Sequence, residues 1–152
     1  MDTISYSIDY RLNNADACSI EKHLLACDNF FMPPLSSYVN ILKYSKKLYE
    51  NAENFEAWHG ENLIGLVSVY LNDLKSMLAY ISNVSVDVSY QSQGIAKILL
   101  SKAIVHGTEA GFHCIKLDVY RVNTRAINLY NRLGFEAETP VGEKMTMVKY
   151  LL

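Results

Sequence analysis

Apolar residues take every second place from Ile4 to Leu12, with Ile4, Tyr6, Ile8, Tyr10 and Leu12 set against polar neighbours. That period predicts a strand with one wet face. The period then lengthens: in "NNADACSIEKHLLAC", Ile20, Leu24 and Cys27 recur at helical spacing, with Asn14 or Asp16 available as the cap. Two prolines in "FFMPPLSS" cannot continue a helix and predict an exposed, lid-like loop. A second helix is predicted in "SSYVNILKYSKKLYE", with Tyr38, Ile41, Leu42, Ser45 and Leu48 or Tyr49 on one side.

From Asn54 the pattern returns to strands. "NFEAWHGENLIGLVSVYL" reads as two strands joined by a tight turn at Gly60-Glu61-Asn62. "MLAYISNVSVDV" is a third. A helix from about Gly94 to Ala110 follows, then the strand "HCIKLDVY", with Ile115, Leu117 and Val119 on one face. Strand, helix and strand in that order make a right-handed crossover between parallel strands. "NTRAINLYNRLGF" carries Ala126, Leu129, Tyr130 and Leu133 on one stripe and ends at a glycine, and "EKMTMVKYLL" closes as a strand. Antiparallel hairpins first and a parallel crossover second predict an α/β fold. Its mixed sheet should hold about six or seven strands flanked by about four helices.

A chain of 152 residues, half hydrophobic and a fifth charged, suits one domain spanning 1–152. The net charge of -2 leaves no electrostatic footprint for nucleic acid. The apolar runs are too short to span a bilayer, and "MDTISYSIDYR" lacks the basic-then-apolar plan of a signal peptide. The expectation is a soluble cytoplasmic protein with neither a nucleic-acid nor a membrane partner. Three scattered cysteines and four dispersed histidines fit reduced thiols and structural roles, and no metal is expected.

One stretch raises a chemical question. In "YQSQGIAKILL", Gly94 stands where a helix begins, with small Ala96 after it. A strand, a polar turn, a glycine and a helix offer free backbone N–H groups and a positive dipole end to an anion. Without a Cβ, Gly94 lets that anion come close; alternatively it only shapes the corner. Neither G-x-x-x-x-G-K-[ST] nor G-x-G-x-x-G is present, so ordinary nucleotide and dinucleotide binding fare poorly.

The run "VSVDVSYQSQGIA", Val84 to Ala96, resembles the acetyl-CoA segment of the GNAT superfamily of N-acetyltransferases, whose Q/R-x-x-G-x-G/A signature is met by Gln91, Gly94 and Ala96. "LDVYRVNTRAINLYNRLGF" is similar to the family's second block, N-x-x-A-x-x-L-Y-x-x-x-G-F, filled by Asn123, Ala126, Leu129, Tyr130, Gly134 and Phe135. The close match covers roughly residues 79 to 135. Val88 stands where proline is common, Ala96 where glycine is, and Gln91 where arginine is. The last change removes a charge near the phosphates.

The resemblance implies acetyl-CoA as cosubstrate. Its pyrophosphate would rest on the amides of Ser92, Gln93, Gly94, Ile95, Ala96 and Lys97, and its pantetheine arm would pair with the strand at Val84, Ser85 and Val86. A bulge in that strand, splaying it from "HCIKLDVY", would open the cleft. Asn123 would contact the coenzyme, or cap the last helix. Tyr130 matches the proton donor to the leaving sulfur, or is a core tyrosine; Asp118 stands where some members carry a base and others rely on water. Glu61 and Glu109 read as solvated, and the aromatic residues, eleven tyrosines among them, read mostly as core and interface, with Tyr38, Trp58 and Tyr70 as the candidates for lining an acceptor pocket. No cysteine lies in the motifs, which favours direct attack of an amine over an acyl-enzyme. The implied acceptor is a primary amine on a small molecule or on a peptide. The loop Met32 to Ser37, the natural seat of acceptor specificity, resembles that of small bacterial members acting on amino sugars. A non-catalytic acyl-CoA-binding module is the competing class, and a homodimer is compatible with either.

Overall fold

The chain runs in order through β1 (Asp9–Leu12), α1 (Ala17–Cys27), α2 (Ile41–Asn51), β2 (Glu53–His59), β3 (Asn62–Asp73), β4 (Leu78–Val86), α3 (Ile95–Glu109), β5 (Cys114–Tyr120), α4 (Thr124–Arg132), β6 (Glu136–Ala137) and β7 (Lys144–Tyr150). This is a computed structural model, and it describes residues 7–151. Ile4 and Tyr6 of the expected first strand lie outside the described residues. The strands form one seven-stranded mixed sheet in the order β1-β2-β3-β4-β5-β7-β6. Only β4 and β5 pair in parallel; the other neighbours are antiparallel.

The helix ends follow from local chemistry. Of the two candidate caps on α1, Asp16 does the work, accepting the Ser19 N–H at 2.8 Å. Asn40 caps α2 by accepting the Lys43 N–H at 3.0 Å, so the helix starts at Ile41 and Tyr38 stays in the loop before it. Its buried stripe is Ile41, Ser45 and Leu48, while Leu42 and Tyr49 of the expected stripe face water. The β2–β3 turn is one residue tighter than expected: Gly60 and Glu61 make it, Gly60 at φ 59°, and Asn62 already belongs to β3.

Successive strand residues point to opposite faces, and the core divides accordingly. On one face Val67, Ile81, Ile115, Leu117 and Met147 meet Leu99, Ala103, Tyr130 and Phe135 from the α3 and α4 side. On the other, Leu66 and Trp58 meet Ile20, Leu24, Ile41 and Leu48 of α1 and α2. A fully buried carboxylate ties this second layer together. Glu56 accepts the backbone N–H groups of Asn14 and Ala15 and the indole N–H of Trp58, the last at 2.9 Å. Burial pushes its carboxyl upward from the usual carboxylate range.

Within β4 the alternation changes phase. Val69 of β3 faces Ile81, but Ser68 faces Asn83, so Ser82 is an extra residue in the ladder. Before it Ala79 and Ile81 pack toward α3; after it Val84 and Val86 do. Tyr44 of α2 holds the bulge, its hydroxyl 3.0 Å from the Ser82 carbonyl and 2.6 Å from the Ser82 hydroxyl. Beyond the bulge His23 of α1 lies 2.8 Å from the Ser85 hydroxyl, which also accepts the Asn83 amide at 3.1 Å. Burial drives the His23 imidazole down to about 4.

Two tests follow from this packing. A Cβ on Gly65 would lie 3.0 Å from Ile95 and 3.2 Å from the Ala57 Cβ, so glycine lets the start of α3 settle on the sheet. Gly65→Val should therefore cost about 1–3 kcal/mol in urea unfolding, and an unchanged midpoint would show that α3 can give way. His23 must stay neutral inside the fold, whereas its ordinary value is 6.5. The unfolded chain binds the proton more readily, so its contribution is complete above about pH 6.5 and is lost as pH falls toward 4. The lost stability should approach about 3 kcal/mol at pH 4, and His23→Gln should flatten that part of the profile.

Candidate active site

The parallel pairing of β4 with β5 runs only from Leu78↔Cys114 to Ile81↔Leu117. Past the Ser82 bulge the two strands part, and β4 keeps β3 as its partner through Val86↔Gly65. The β5-facing edge of Val84, Ser85 and Val86 is thus an open strand edge inside the sheet.

A cavity opens on either side of the split. One, of about 640 Å³, is walled by Val84, Ser85 and Val86, by the loop and first turn of α3, and by α4. Gln91, Ser92, Gly94, Ile95, Ala96, Lys97, Asn123 and Tyr130 of the expected coenzyme residues all line it; Gln93 does not. The other, of about 340 Å³, lies toward the loop between α1 and α2 and is lined by Tyr38, Tyr44, Tyr80 and Asp118 among others. Val84, Asn123 and Tyr130 border both.

The larger cavity has the character of an anion site. Gly94 sits at φ 78°, and a Cβ built there would meet nothing within 4 Å. The glycine both shapes the corner and leaves open space before the first N–H groups of α3, which have no partner within the helix. Gln91 turns its amide to the Val86 carbonyl at 3.1 Å, fastening the loop to the end of β4. Lys97, Arg125 and Arg132 stand around the cavity. Arg125 donates to the Ser92 hydroxyl at 2.8 Å across the gap between α4 and the loop. These arginines supply the positive charge that Gln91 does not. Sequence reasoning missed them, although Arg125 stands two residues after Asn123 on the first turn of α4.

Tyr130 occupies the junction. Its ring is buried edge-on against Phe135, with centroids 5.9 Å apart, as a core tyrosine would be. Yet it borders both cavities, and among the described residues nothing hydrogen-bonds its hydroxyl. Burial pushes the phenol upward, which keeps its proton in place. Asn123 accepts the Ala126 N–H at 3.3 Å, so the cap is realised at a residue that also lines both cavities.

Asp118 faces the smaller cavity. Its two oxygens accept the Tyr80 hydroxyl at 2.8 Å and the Thr146 hydroxyl at 2.5 Å. Burial and then the neighbouring carboxylate push the Tyr80 phenol upward, so it remains the donor. Of the three aromatic residues expected at the acceptor side, Tyr38 lines the cavity, whereas Trp58 is locked in the second core by Glu56. Tyr70 lies outside the lining as well, beneath the Lys47 ammonium at 5.5 Å. Glu61 and Glu109 are exposed. Among the described residues no three His, Cys, Asp or Glu side chains cluster as metal ligands would, and no helix is long and apolar enough to cross a membrane.

Known proteins resemble this chain in sequence and in fold. The sequence model described as the acetyltransferase (GNAT) family matches residues 21–135. An uncharacterized N-acetyltransferase of Methanocaldococcus jannaschii is 36% identical over 75 residues, which are 49% of this chain and 33% of that protein. The spermine/spermidine N(1)-acetyltransferase of Bacillus subtilis (strain 168) is 34% identical over 97 residues, 60% of this chain and 62% of that protein. The chain thus spans less than two thirds of the length of either relative. In fold it is similar to the PaiA N-acetyltransferase of Thermoplasma acidophilum, solved in complex with coenzyme A. The TM-score is 0.72 at 18% identity, over 95% of this chain and 99% of that one.

Proposed function

The chain belongs to the GNAT family of acetyltransferases, and we propose that it moves an acetyl group from acetyl-CoA to the primary amine of a small molecule by direct attack. The observation that carries this reading is the split between β4 and β5, with Tyr130 bordering the cavities on both sides of it.

The residues on one side fit the coenzyme. The open edge of Val84 to Val86 can pair with an amide-bearing arm as it would with a strand. The first N–H groups of α3 and the cations Lys97, Arg125 and Arg132 suit a pyrophosphate. On the other side, the smaller cavity leads an amine to the same junction. The unprotonated amine nitrogen attacks the thioester carbon; a C–N bond forms and the C–S bond breaks with its electron pair on sulfur. Tyr130 gives its proton to that sulfur and regains one from solvent, while the surplus proton of the amine leaves to water. Asp118, already accepting two hydroxyls, stands on the acceptor side of this exchange.

Two variants test the two halves of the site. Gly94→Glu places bulk and a negative charge where the anion should rest, and should weaken acetyl-CoA binding by about 10²-fold in calorimetry. The left-handed backbone at Gly94 makes a stability cost expected as well, so the melting temperature is read on the same preparation. Unchanged affinity in the folded variant would remove the anion site. Tyr130→Phe keeps the ring and its contact with Phe135 but deletes the proton donor. Turnover should fall by about 10²-fold, the low end for a general acid, because a thiolate leaves tolerably unaided. Acetyl-CoA affinity and melting temperature should hold. Full turnover would return Tyr130 to a core role alone.

A further inference from the structure

Building on the acetyl-transfer reading, we propose that the acceptor is a primary alkylamine with a single nitrogen and one flat aromatic body, captured as its ammonium at Asp118 and attacking only after that ammonium has given a proton to water. Three features of the smaller cavity lead there.

The first is charge. Among the lining residues Asp118 is the sole carboxylate and Lys144 the sole lysine or arginine, its ammonium resting over the Tyr120 ring at 5.3 Å. A polyamine would bring several ammonium groups to a site with one counter-charge and a lysine already present, which Coulomb repulsion opposes. A single ammonium is matched.

The second is shape and surface. Rings of Phe30, Phe31, Tyr38, Tyr44, Tyr80 and Tyr120 surround a cavity of about 340 Å³. Aromatic faces attract both another ring and a cation held above them.

The third is that several polar groups in the lining already have partners within the fold. Tyr44 is engaged with Ser82, Tyr80 with Asp118, and the Asn83 amide with the Leu66 carbonyl and the Ser85 hydroxyl. The Tyr44, Tyr80 and Asn83 groups so engaged offer little to the several hydroxyls of an amino sugar, and each unmet hydroxyl costs affinity. Asp118, though paired, keeps spare capacity. Held from β4 by Tyr80 and from β7 by Thr146, its oxygens keep further lone pairs for N–H donors. That fixes a carboxylate as an ammonium anchor. Asp118 then acts on capture of the acceptor rather than as its base.

The experiment uses the purified chain with three acceptors, 2-phenylethylamine, spermidine and glucosamine, following thiol release, with acetyl-CoA binding measured separately by calorimetry. We expect kcat/KM for 2-phenylethylamine to exceed that for the other two by about tenfold or more. Asp118→Asn should raise KM for 2-phenylethylamine by about tenfold or more, the usual weight of a hydrogen bond to a charged group. Its kcat should stay within about threefold, and acetyl-CoA affinity, unchanged, would certify the fold. Tyr38→Ala, which removes a half-exposed ring, should narrow the preference for 2-phenylethylamine over propylamine. Spermidine or glucosamine turned over as well as 2-phenylethylamine would overturn the inference and leave acetyl transfer standing. So would a kcat collapse at constant KM in Asp118→Asn, the mark of a base. Failure to bind acetyl-CoA at all would instead overturn the functional reading, and the acceptor inference with it.

Discussion

One inserted residue governs the architecture. Ser82 enlarges β4 relative to β3, and that single extra residue exchanges the faces presented by everything after it. A strand cannot change phase and keep both neighbours in register, so β4 stays with β3 and lets β5 go. Unpaired backbone inside a sheet is costly unless water or a ligand meets it. The fold tolerates the opening because other contacts hold the displaced strand: Tyr44 at the bulge and His23 with Asn83 beyond it. Cavity space here is therefore not carved out of a finished core; it is what the sheet leaves when two strands stop pairing.

The split also separates two electrostatic environments. On the α3 and α4 side, helix-start N–H groups and the cations Lys97, Arg125 and Arg132 make a positive wall. On the opposite side stand one carboxylate, one lysine and a surround of aromatic rings. Under the proposed function, a long anionic coenzyme and a cationic acceptor would approach through different cavities. The geometry fits a reaction in which two substrates meet only at their reactive ends.

Much of this was legible in the sequence, and the failures are instructive. The glycine at the start of α3 and the helix with Asn123 and Tyr130 stood out because local backbone demands fix residue type there. The bulge was anticipated only through resemblance, yet it leaves a direct trace. Apolar positions run Ala79 and Ile81, then Val84 and Val86, with two polar residues, Ser82 and Asn83, between the phases. Glu56 left no trace of that sort. It reads as an ordinary polar position in β2, and only the fold brings it the N–H groups of Asn14 and Ala15. Trp58 stayed open between core and acceptor lining for the same reason: composition shows an aromatic residue but not which neighbour claims its N–H. Tyr80, Arg125 and Arg132 acquire meaning only from elements far away in sequence, and local pattern carries no such information.

Helix α4 links the two halves of the site. Asn123 caps it, Arg125 reaches the loop before α3, and Tyr130 stands at the junction, all on one rigid rod. An α-helix rises 1.5 Å per residue, so the five steps from Arg125 to Tyr130 set the hydroxyl's ring roughly 7.5 Å along the axis from the charge beside the loop. That separation does not depend on loop conformation or on ligand. Gly134, at φ 93°, ends the helix and lets Phe135 fold back under the Tyr130 ring, which fixes the ring in turn. Core packing and chemistry are thus not competing explanations of Tyr130. The buried ring holds the angle of a hydroxyl that the core itself leaves without a partner.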